Sequence, residues 1–253
     1  MRIELLPSSI PPTDSQFLVT YLVNDELAID AGALGLMADL GRQDRIRQVF
    51  ITHEHLDHIA TLPIFLENVY QPGPGCVELL ASQDVLDFLH DDVFNGRVWP
   101  DFFALSRPED RFLTATALEP LEPVVRSGLT ITPVPMSHGV ETLGLIVDDG
   151  ERIVAFPSDT GPTSLLWRRL AADDRVAAVF LEVSFPRRLA ALAELTGHLS
   201  TDTFAAEVTK LPRDLRWIVV HRKARYADEI AREIAELGLA RVELVRPGHV
   251  YEF

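Results

Sequence analysis

Three histidines and one aspartate lie within six positions of the chain, in the segment HEHLDH: His53, His55, Asp57 and His58. The whole chain has only eight histidines. Imidazole and carboxylate donors without a thiolate favour zinc, iron or manganese over soft-metal or iron–sulfur sites. In an extended backbone, residues two apart point to the same side, so His53 and His55 can aim at one point. We therefore predict a metal site here rather than a polar surface loop.

The residues on either side of this segment predict the elements that must position it. Residues 49–51 (VFI) end an apolar run, which predicts a buried strand that stops before Thr52. A helix should begin near Asp57, because aspartate accepts free N–H groups at a helix start. Asp57 and His58 would then serve a second point, a short distance from the first. The predicted apolar face of this helix is Ile59, Leu62, Phe65 and Leu66.

The order H-x-H-x-D-H at the end of a strand resembles the signature of the metallo-β-lactamase superfamily. This resemblance implies an α/β fold, a four-layer αβ/βα sandwich, with metal ligands on loops at one edge of two sheets. It also implies three further ligands in the order His, Asp, His. His138, Asp159 and His221 each follow a strand-like run and match that order. Taken alone, His138 could be structural, and Asp159 could cap the helix predicted at TSLLWRRL.

The ligand set that the resemblance implies has seven members and holds two divalent metal ions, preferably Zn²⁺, with Mn²⁺ or Fe²⁺ as alternatives. One ion is assigned to His53, His55 and His138, the other to Asp57, His58 and His221, and Asp159 bridges them. Two such ions about 3.5–4 Å apart lower the pKa of a shared water, so that a bridging hydroxide can attack a substrate. Nitrogen and oxygen ligands suit hydrolysis better than redox chemistry, although a di-iron oxidase can use the same set.

Length and composition allow one large domain and exclude several functional classes. A chain of 253 residues, 47% hydrophobic and 24% charged, suits a single catalytic domain over residues 1–253. The formal net charge of −15 counts against a nucleic-acid partner, which needs a basic surface. We see no signal peptide, and no apolar run of the roughly 18 residues that a membrane span needs. A single cysteine, Cys76, excludes an internal disulfide, so we expect a cytoplasmic protein without a membrane partner.

Strand-like and helix-like segments alternate along the chain. Nine stretches have the apolar runs of buried strands: FLVTYLV, LAID, QVFIT, LTITPV, LGLIVD, RIVAF, VAAVFLEV, RWIVV and RVELV. Helical periodicity appears in ALGLMADLG, DHIATLPIFLENV, SQDVLDFLHDDV, TSLLWRRLAAD, STDTFAAEVTKL and ADEIAREIAELG. Asp149 and Gly150 predict a hairpin tip, and the prolines and glycines of YQPGPG predict a loop.

A leaving group needs a proton, and His198 in ELTGHLS is the predicted donor, because it belongs to neither ligand set. Glu182 in FLEVSFP could orient His198 or tune its pKa. We therefore count Asp57, His198 and Glu182 as catalytic. The alternative for His198 is a residue at a helix start with no chemical role.

Four stretches resemble the class II cyclic-nucleotide phosphodiesterases: THEHLDHIATLP, VFNGRVWPDF, LEVSFP with ELTGHLS, and HRK. The second is the most telling, because FNGRVWPDF has no catalytic reason to exist. The resemblance runs from YLVNDELAIDAG to HRK and implies hydrolysis of a 3′,5′-cyclic nucleotide such as cAMP to the 5′-monophosphate. Thr196 and Ala224 depart from it, since the family has serine and proline at these places, and this leaves the identity of the substrate open.

Substrate contacts are predicted from two places in the chain. Lys223 follows His221 closely and is assigned to the substrate phosphate, whereas Arg222 and Arg225 suit a solvated loop. Phe94 and Trp99 are assigned to a nucleobase, since aromatic rings stack on bases. The alternative for these two aromatic residues is a core-packing cluster.

Two other functions stay open. GHLST and HRKARY also resemble elements of the tRNA 3′-processing endoribonuclease of the same superfamily. That enzyme grips tRNA with an extended arm, and this chain has no insertion rich in Gly, Lys and Arg. A metal-binding nucleotide sensor without catalysis is the second alternative. We expect a small-molecule cyclic nucleotide as the partner and no nucleic acid, and a homodimer is left open.

Overall fold

The computed structural model describes residues 1–73 and 76–253 of the protein. The chain divides into two compact units. Unit 1 consists of Met1–Thr13, Leu18–Glu119 and Pro247–Glu252, and unit 2 of Asp14–Phe17, Pro120–Arg246 and Phe253. The single catalytic domain over residues 1–253 stays a prediction.

Unit 1 is built on a seven-stranded mixed sheet. With strands numbered in chain order, it contains β1 (Arg2–Leu5), β2 (Tyr21–Val23), β3 (Leu27–Ile29), β4 (Gln48–Phe50), β5 (Val77–Ala81), β6 (Leu113–Ala117) and β14 (Val250–Glu252). The order across the sheet is β14-β1-β2-β3-β4-β5-β6, with three antiparallel pairs followed by three parallel pairs. Because β3 and β4 are parallel neighbours, Asp30 and the HEHLDH segment leave the sheet at the same edge.

Short helices follow the strands of unit 1: α1 (Leu40–Gln43), α2 (Leu56–Ile59), α3 (Leu62–Asn68), α4 (Gln83–Phe88) and α5 (Phe102–Leu105). The helix predicted to begin near Asp57 is present as α2 and α3, and its four predicted apolar residues are buried. Burying one Leu, Ile or Phe side chain contributes about 1.5–3 kcal/mol. This apolar face therefore holds the chain in the direction in which HEHLDH leaves the sheet.

The helix predicted over ALGLMADLG is wrong for most of its length. A 3₁₀ turn covers Leu34–Leu36, and the backbone is extended at Met37. Asp39 then caps α1, because its side chain accepts the N–H of Arg42. The capping aspartate starts a new helix instead of continuing the first one. The loop predicted for YQPGPG includes Pro74 and Gly75, which lie outside the described residues.

Unit 2 is built on a second seven-stranded mixed sheet. Its strands are β7 (Val124–Arg126), β8 (Leu129–Pro135), β9 (Leu143–Asp148), β10 (Ile153–Phe156), β11 (Val176–Glu182), β12 (Arg216–Val220) and β13 (Val242–Leu244). From β7 to β13, three antiparallel pairs are again followed by three parallel pairs. The predicted hairpin tip at Asp149 and Gly150 is confirmed, since it joins β9 to β10. Strands β8, β10, β11 and β12 all run in one direction, so the residues that follow them meet at one edge.

The helices of unit 2 are α6 (Leu165–Ala171), α7 (Ala190–Leu195), α8 (Thr201–Thr209) and α9 (Ala227–Glu236). Ile230 and Ile234 of α9 are buried, as its predicted periodicity requires. They belong to an apolar core that includes Trp167 and Trp217, whose ring centroids are 5.6 Å apart. No helix in residues 1–73 or 76–253 is long and apolar enough to cross a membrane.

Candidate metal centre

The four candidate ligands of unit 1 lie between the end of β4 and the first turn of α2. His53 Nε2 is 3.1 Å from His55 Nδ1, and the rings of His53 and His58 have centroids 4.1 Å apart. Two nitrogens bound to one tetrahedral zinc ion would be about 3.3 Å apart. His53 and His58 are buried, whereas His55 and Asp57 are partly exposed. The extended segment therefore brings two imidazole nitrogens to one point, as its spacing predicts.

Asp30 orients two of these histidines, His58 directly and His53 through Thr52. It was not among the residues predicted from the sequence. Asp30 Oδ2 is 2.7 Å from His58 Nδ1, and Oδ1 accepts the backbone N–H of Thr52 at 2.8 Å and its hydroxyl at 2.9 Å. The single hydroxyl proton of Thr52 is used in this way, so Thr52 Oγ1 accepts from His53 Nδ1 at 3.0 Å. Both rings then carry their proton on Nδ1, and each has its lone pair on Nε2, the atom that can bind a metal.

Three polar side chains of unit 2 converge at the edge where β10 and β12 end. Asp159, His198 and His221 each offer one ligand atom, and these atoms all lie within 4.8 Å of one another. His221 Nδ1 is 3.4 Å from Asp159 Oδ1. Asp159 does not cap α6, whose N-cap residue is Ser164. His221 has φ +54°, a left-handed backbone conformation that costs a residue with a side chain about 1–2 kcal/mol.

His138 is positioned by the C-terminal end of α7. Its Nδ1 donates to the carbonyl oxygen of Gly197 at 2.8 Å, so its lone pair also lies on Nε2. Gly197 has φ +67° and donates to Glu194 O, while His198 N donates to Ala193 O. These two bonds form a Schellman motif, in which a left-handed residue closes the helix. One helix end therefore places both His138 and His198.

The imidazole of His198 is paired with a buried carboxylate. His198 Nδ1 is 2.7 Å from Glu182 Oε1, and Glu182 is fully buried. The carboxylate of Glu182 also accepts the backbone N–H groups of Thr160, Ser184 and Leu199. Burial lowers the pKa of His198, but the charge and hydrogen bond of Glu182 and the charge of Asp159 raise that pKa by more, so the net shift is upward. Glu182 therefore orients His198 with Nδ1 protonated and favours the imidazolium.

Residues 31–221 match the β-lactamase superfamily domain. This span is most of the chain and includes every candidate ligand described above. The chain belongs to this family. Its fold is the predicted one, with two mixed sheets that each carry helices, and the family together with the His and Asp groups supports a metal-dependent hydrolase.

Two curated relatives of this β-lactamase superfamily chain are named as phosphodiesterases. A probable 3′,5′-cyclic-nucleotide phosphodiesterase of Yersinia pestis is 28% identical, over 77% of this chain and 67% of the relative. A 3′,5′-cyclic-nucleotide phosphodiesterase of Aliivibrio fischeri is 26% identical, over 67% of this chain and only 54% of the relative. Among solved structures, unliganded yeast PDE1 is similar with a TM-score of 0.74 at 19% identity, over 98% of both chains. That last likeness shows the fold.

The described residues of each unit offer donor groups that suit a divalent metal ion. The donors are imidazole and carboxylate groups, which suit zinc, iron and manganese. His53, His58 and His138 each use Nδ1 for a hydrogen bond to the protein, the anchoring that metal-binding histidines need. Imidazole and carboxylate atoms of unit 2 lie close enough to share one ion. Divalent metal binding is therefore supported for this family member, and the donor types suit more than one divalent ion.

The residues predicted to bind substrate lie in different surroundings. Lys223 is partly exposed and pairs with Gln16 in an isolated parallel bridge of unit 2. Trp99 is partly buried against the core of unit 1. Phe94 has no exposed surface and stacks on Phe102 at 5.4 Å between centroids. The complete burial of Phe94 therefore gives no support to contact with a nucleobase. The substrate-binding role of all three residues stays a prediction.

Proposed function

We propose that this protein is a metal-dependent 3′,5′-cyclic-nucleotide phosphodiesterase that converts a cAMP-like substrate to the 5′-monophosphate. The names of the two curated relatives support this reaction. The observation that carries it is the His198–Glu182 pair beside Asp159 and His221, because it combines a proton donor with candidate metal ligands. Metal-assisted hydrolysis of a phosphodiester uses both, since the metal activates water and the donor protonates the leaving oxygen.

The metal ligands of the proposal are those that the family resemblance implies. His53, His55 and His138 would hold one ion, Asp57, His58 and His221 the other, and Asp159 would bridge them, with Zn²⁺ preferred and Mn²⁺ or Fe²⁺ as alternatives. When bound, two divalent ions supply a Lewis acid and an acidified water. Asp57 and Asp159 together contribute two negative charges, so a site with two divalent ions stays net positive and suits an anionic substrate.

The proton for the leaving group would come from His198. Conversion of a 3′,5′-cyclic nucleotide to the 5′-monophosphate breaks the bond between phosphorus and O3′, adds the oxygen of water to phosphorus and leaves a proton on O3′. Glu182 holds the Nδ1 proton of His198, so the imidazolium can donate from Nε2. Lys223 would contact the phosphate, and Trp99 would contact the base. A cytoplasmic location is also proposed, from the sequence.

A substrate panel tests this function. The metal-reconstituted protein is assayed with cAMP, cGMP, a bis-aryl phosphodiester, a β-lactam and a tRNA precursor, and products are separated by chromatography. We expect 5′-AMP from cAMP and no cleavage of the β-lactam. Formation of 3′-AMP, or turnover of the tRNA precursor alone, would contradict the proposal. Absence of turnover on every substrate by a protein shown to contain two metals would favour the nucleotide sensor.

A further inference from the structure

The strand β6 forms one edge of the unit 1 sheet, and part of its backbone has no neighbour on the outer side. Leu118, which follows β6, donates its N–H to Ala81 O of β5, so the even-numbered residues turn their backbone groups towards β5. Successive residues of a strand turn these groups to opposite sides, so those of Ala115 and Ala117 point outward. Both alanines are exposed, and neither has an outward hydrogen bond within the described part of the chain.

Ser106 closes the same edge at the start of β6. Its Oγ accepts the N–H of Leu113 at 2.9 Å and donates to Leu113 O at 2.7 Å. These outward bonds agree with the alternation, because Leu113 lies two residues before Ala115. The serine side chain thus satisfies Leu113 in place of a neighbouring strand, and the edge is open from Ala115 onward.

The open edge of β6 lacks the features that keep sheet edges from pairing with other chains. Natural proteins protect such edges with charged residues, with very short strands or with a covering element. The other edge strands of the two described sheets, β7, β13 and β14, are three residues long and contain Arg126, Glu243 and Glu252. β6 has five residues, LTATA, and none of them is charged. An unprotected edge of this kind is a template for a further strand.

The charges on either side of β6 favour a second copy of this chain as the source of that strand. Arg111 precedes β6 and Glu119 follows it, and both are exposed, with no ion pair to the described residues. When two copies of β6 pair antiparallel, each Glu119 lies near Arg111 of the other copy. Opposite charges across two strands are stabilising, whereas a parallel pair would bring like charges together. The flanking charges are therefore self-complementary in the antiparallel arrangement.

The open backbone groups select one register for this pairing. If Ala115 of each copy lies opposite Ala117 of the other, each of these two pairs exchanges two hydrogen bonds, and Ser106 keeps its own. Thr116 then lies opposite Thr116 of the other copy, which is a favourable cross-strand pair. The register therefore uses the unpaired groups of both alanines and breaks no bond of the single chain.

The same register brings the flanking charges to a cavity. Glu119 of one copy lies opposite Leu113 of the other, and Leu113 and Arg111 line a cavity of about 310 Å³ beside β6. Long side chains reach a diagonal neighbour across two strands, and a guanidinium binds a carboxylate through charge-assisted hydrogen bonds. The cavity can therefore receive the Glu119 carboxylate next to Arg111.

We propose that β6 is a dimerisation edge, at which two copies of this chain pair antiparallel about a twofold axis that passes beside Thr116. The unit 1 sheet of one copy then continues into that of the other. So short a ladder gives a dimer that forms only at high protein concentration. The proposal is independent of the proposed function, because no residue of β6 belongs to the candidate metal centre or to its proton donor.

Sedimentation velocity of the full chain, from about 5 µM to about 1 mM, tests this dimerisation edge. We expect a reversible monomer–dimer equilibrium in the unaltered protein. Arg111→Glu and Glu119→Arg should each weaken dimerisation by about fivefold or more, because each places like charges across the interface. The double variant restores opposite charges and should dimerise within about twofold of the unaltered protein.

Two controls separate a local contact from general repulsion between copies. The net charge is −15, so Glu119→Arg reduces the overall repulsion and would strengthen dimerisation if that repulsion alone mattered. Stronger dimerisation in Glu119→Arg would therefore overturn the proposal. Arg97→Glu makes the same change as Arg111→Glu at another exposed position of unit 1, and its dimerisation should stay within about twofold of the unaltered protein. An equal loss in both arginine variants would also count against the interface.

Ala115→Pro tests the backbone ladder separately from the charges. Proline lacks the outward N–H and is tolerated on the outer side of an edge strand. This variant should keep its fold, as measured by circular dichroism, and lose dimerisation, and the charge variants decide the question if it does not fold. A chain that stays monomeric at about 1 mM, or an Ala115→Pro variant that folds and dimerises like the unaltered protein, would overturn the proposal.

Discussion

His138 Nδ1 donates to the carbonyl oxygen of Gly197, 2.8 Å away and 59 residues later in the chain. The same glycine closes α7 in a left-handed conformation, and the next residue is His198. A candidate metal ligand and a candidate proton donor are therefore fixed by one peptide group. Any change in the end of α7 should alter both histidines together.

Gly197→Ala should destabilise the fold and weaken metal binding. The added Cβ would lie 3.0 Å from His138 Cα and 3.1 Å from Gly139 N, and φ would remain +67°. Gly238→Ala is a matched control, because φ is +59° there and nothing lies within 4 Å of the added atom. The left-handed conformation costs each variant about 1–2 kcal/mol. In urea unfolding, Gly197→Ala should lose about 1 kcal/mol or more of unfolding free energy beyond the loss in Gly238→Ala. Equal losses in the two variants would mean that His138 shifts to make room for the added atom.

Asp30→Asn should lower metal affinity without unfolding the protein. Asparagine tolerates the left-handed φ of +60° at this position, but its amide nitrogen cannot accept from His58 Nδ1. Loss of such an anchoring partner costs about 10–100-fold in metal affinity. Competition with a chromophoric chelator measures this. Unchanged affinity would show that Asp30 serves the fold rather than the site.

His198→Ala should retain its metal ions and lose turnover. General acid catalysis contributes about 10²–10⁴-fold, so kcat should fall by that factor with KM little changed. Glu182→Gln should show a smaller loss, because His198 keeps a hydrogen-bond partner but not its negative charge. Metal analysis of both variants is part of the measurement. Loss of metal from His198→Ala would instead make His198 a ligand, which its place beside Asp159 and His221 allows.

Asp25→Asn should destabilise unit 1 only where the carboxylate is ionised. Burial raises the pKa of Asp25, but hydrogen bonds from Arg42 and Arg2 lower it by more, to below the ordinary 3.8. The ion pairs therefore stabilise the fold fully at pH values above the ordinary pKa of 3.8. This stabilisation is lost as the pH falls through the lower pKa that Asp25 has in the folded protein. Urea unfolding should show a loss of about 0.5–1 kcal/mol at neutral pH. The loss should shrink below about pH 4.

Asp92→Asn is the control for this pH dependence, because Asp92 is exposed and has no described ion pair. Both changes remove one negative charge. Asparagine also accepts the left-handed φ of +59° at position 25, so backbone strain does not enter the comparison. The same loss at every pH in Asp25→Asn would indicate that packing, not charge, is responsible.

The fold was predictable because the ligands follow strands. HEHLDH comes directly after β4, and His221 directly after β12, so apolar runs and polar residues identify the same sheet edges. Asp30 follows β3 in the same way, but it acts on His53 and His58 through hydrogen bonds. A residue that orients the ligands without belonging to their motif has no characteristic spacing by which the sequence could reveal it.

Other features depend on contacts between distant parts of the chain. The role of Gly197 requires His138, and nothing local in ELTGHLS indicates that partner. For Phe94 the sequence leaves two roles open, because aromatic residues occur both where a nucleobase stacks and in an apolar core. Only the burial of its side chain in the folded protein distinguishes the two roles. The break in ALGLMADLG came from Asp39, whose cap competes with the continuing helix.

The turn between β9 and β10 lies at the edge of its sheet opposite to the one where β8, β10, β11 and β12 end. Gly150 and Glu151 are exposed there. Such a turn accepts inserted residues with little penalty, since loop length costs little entropy. A short epitope between these two residues would make a handle for immobilising or labelling the protein, on the face of unit 2 turned away from its chemistry.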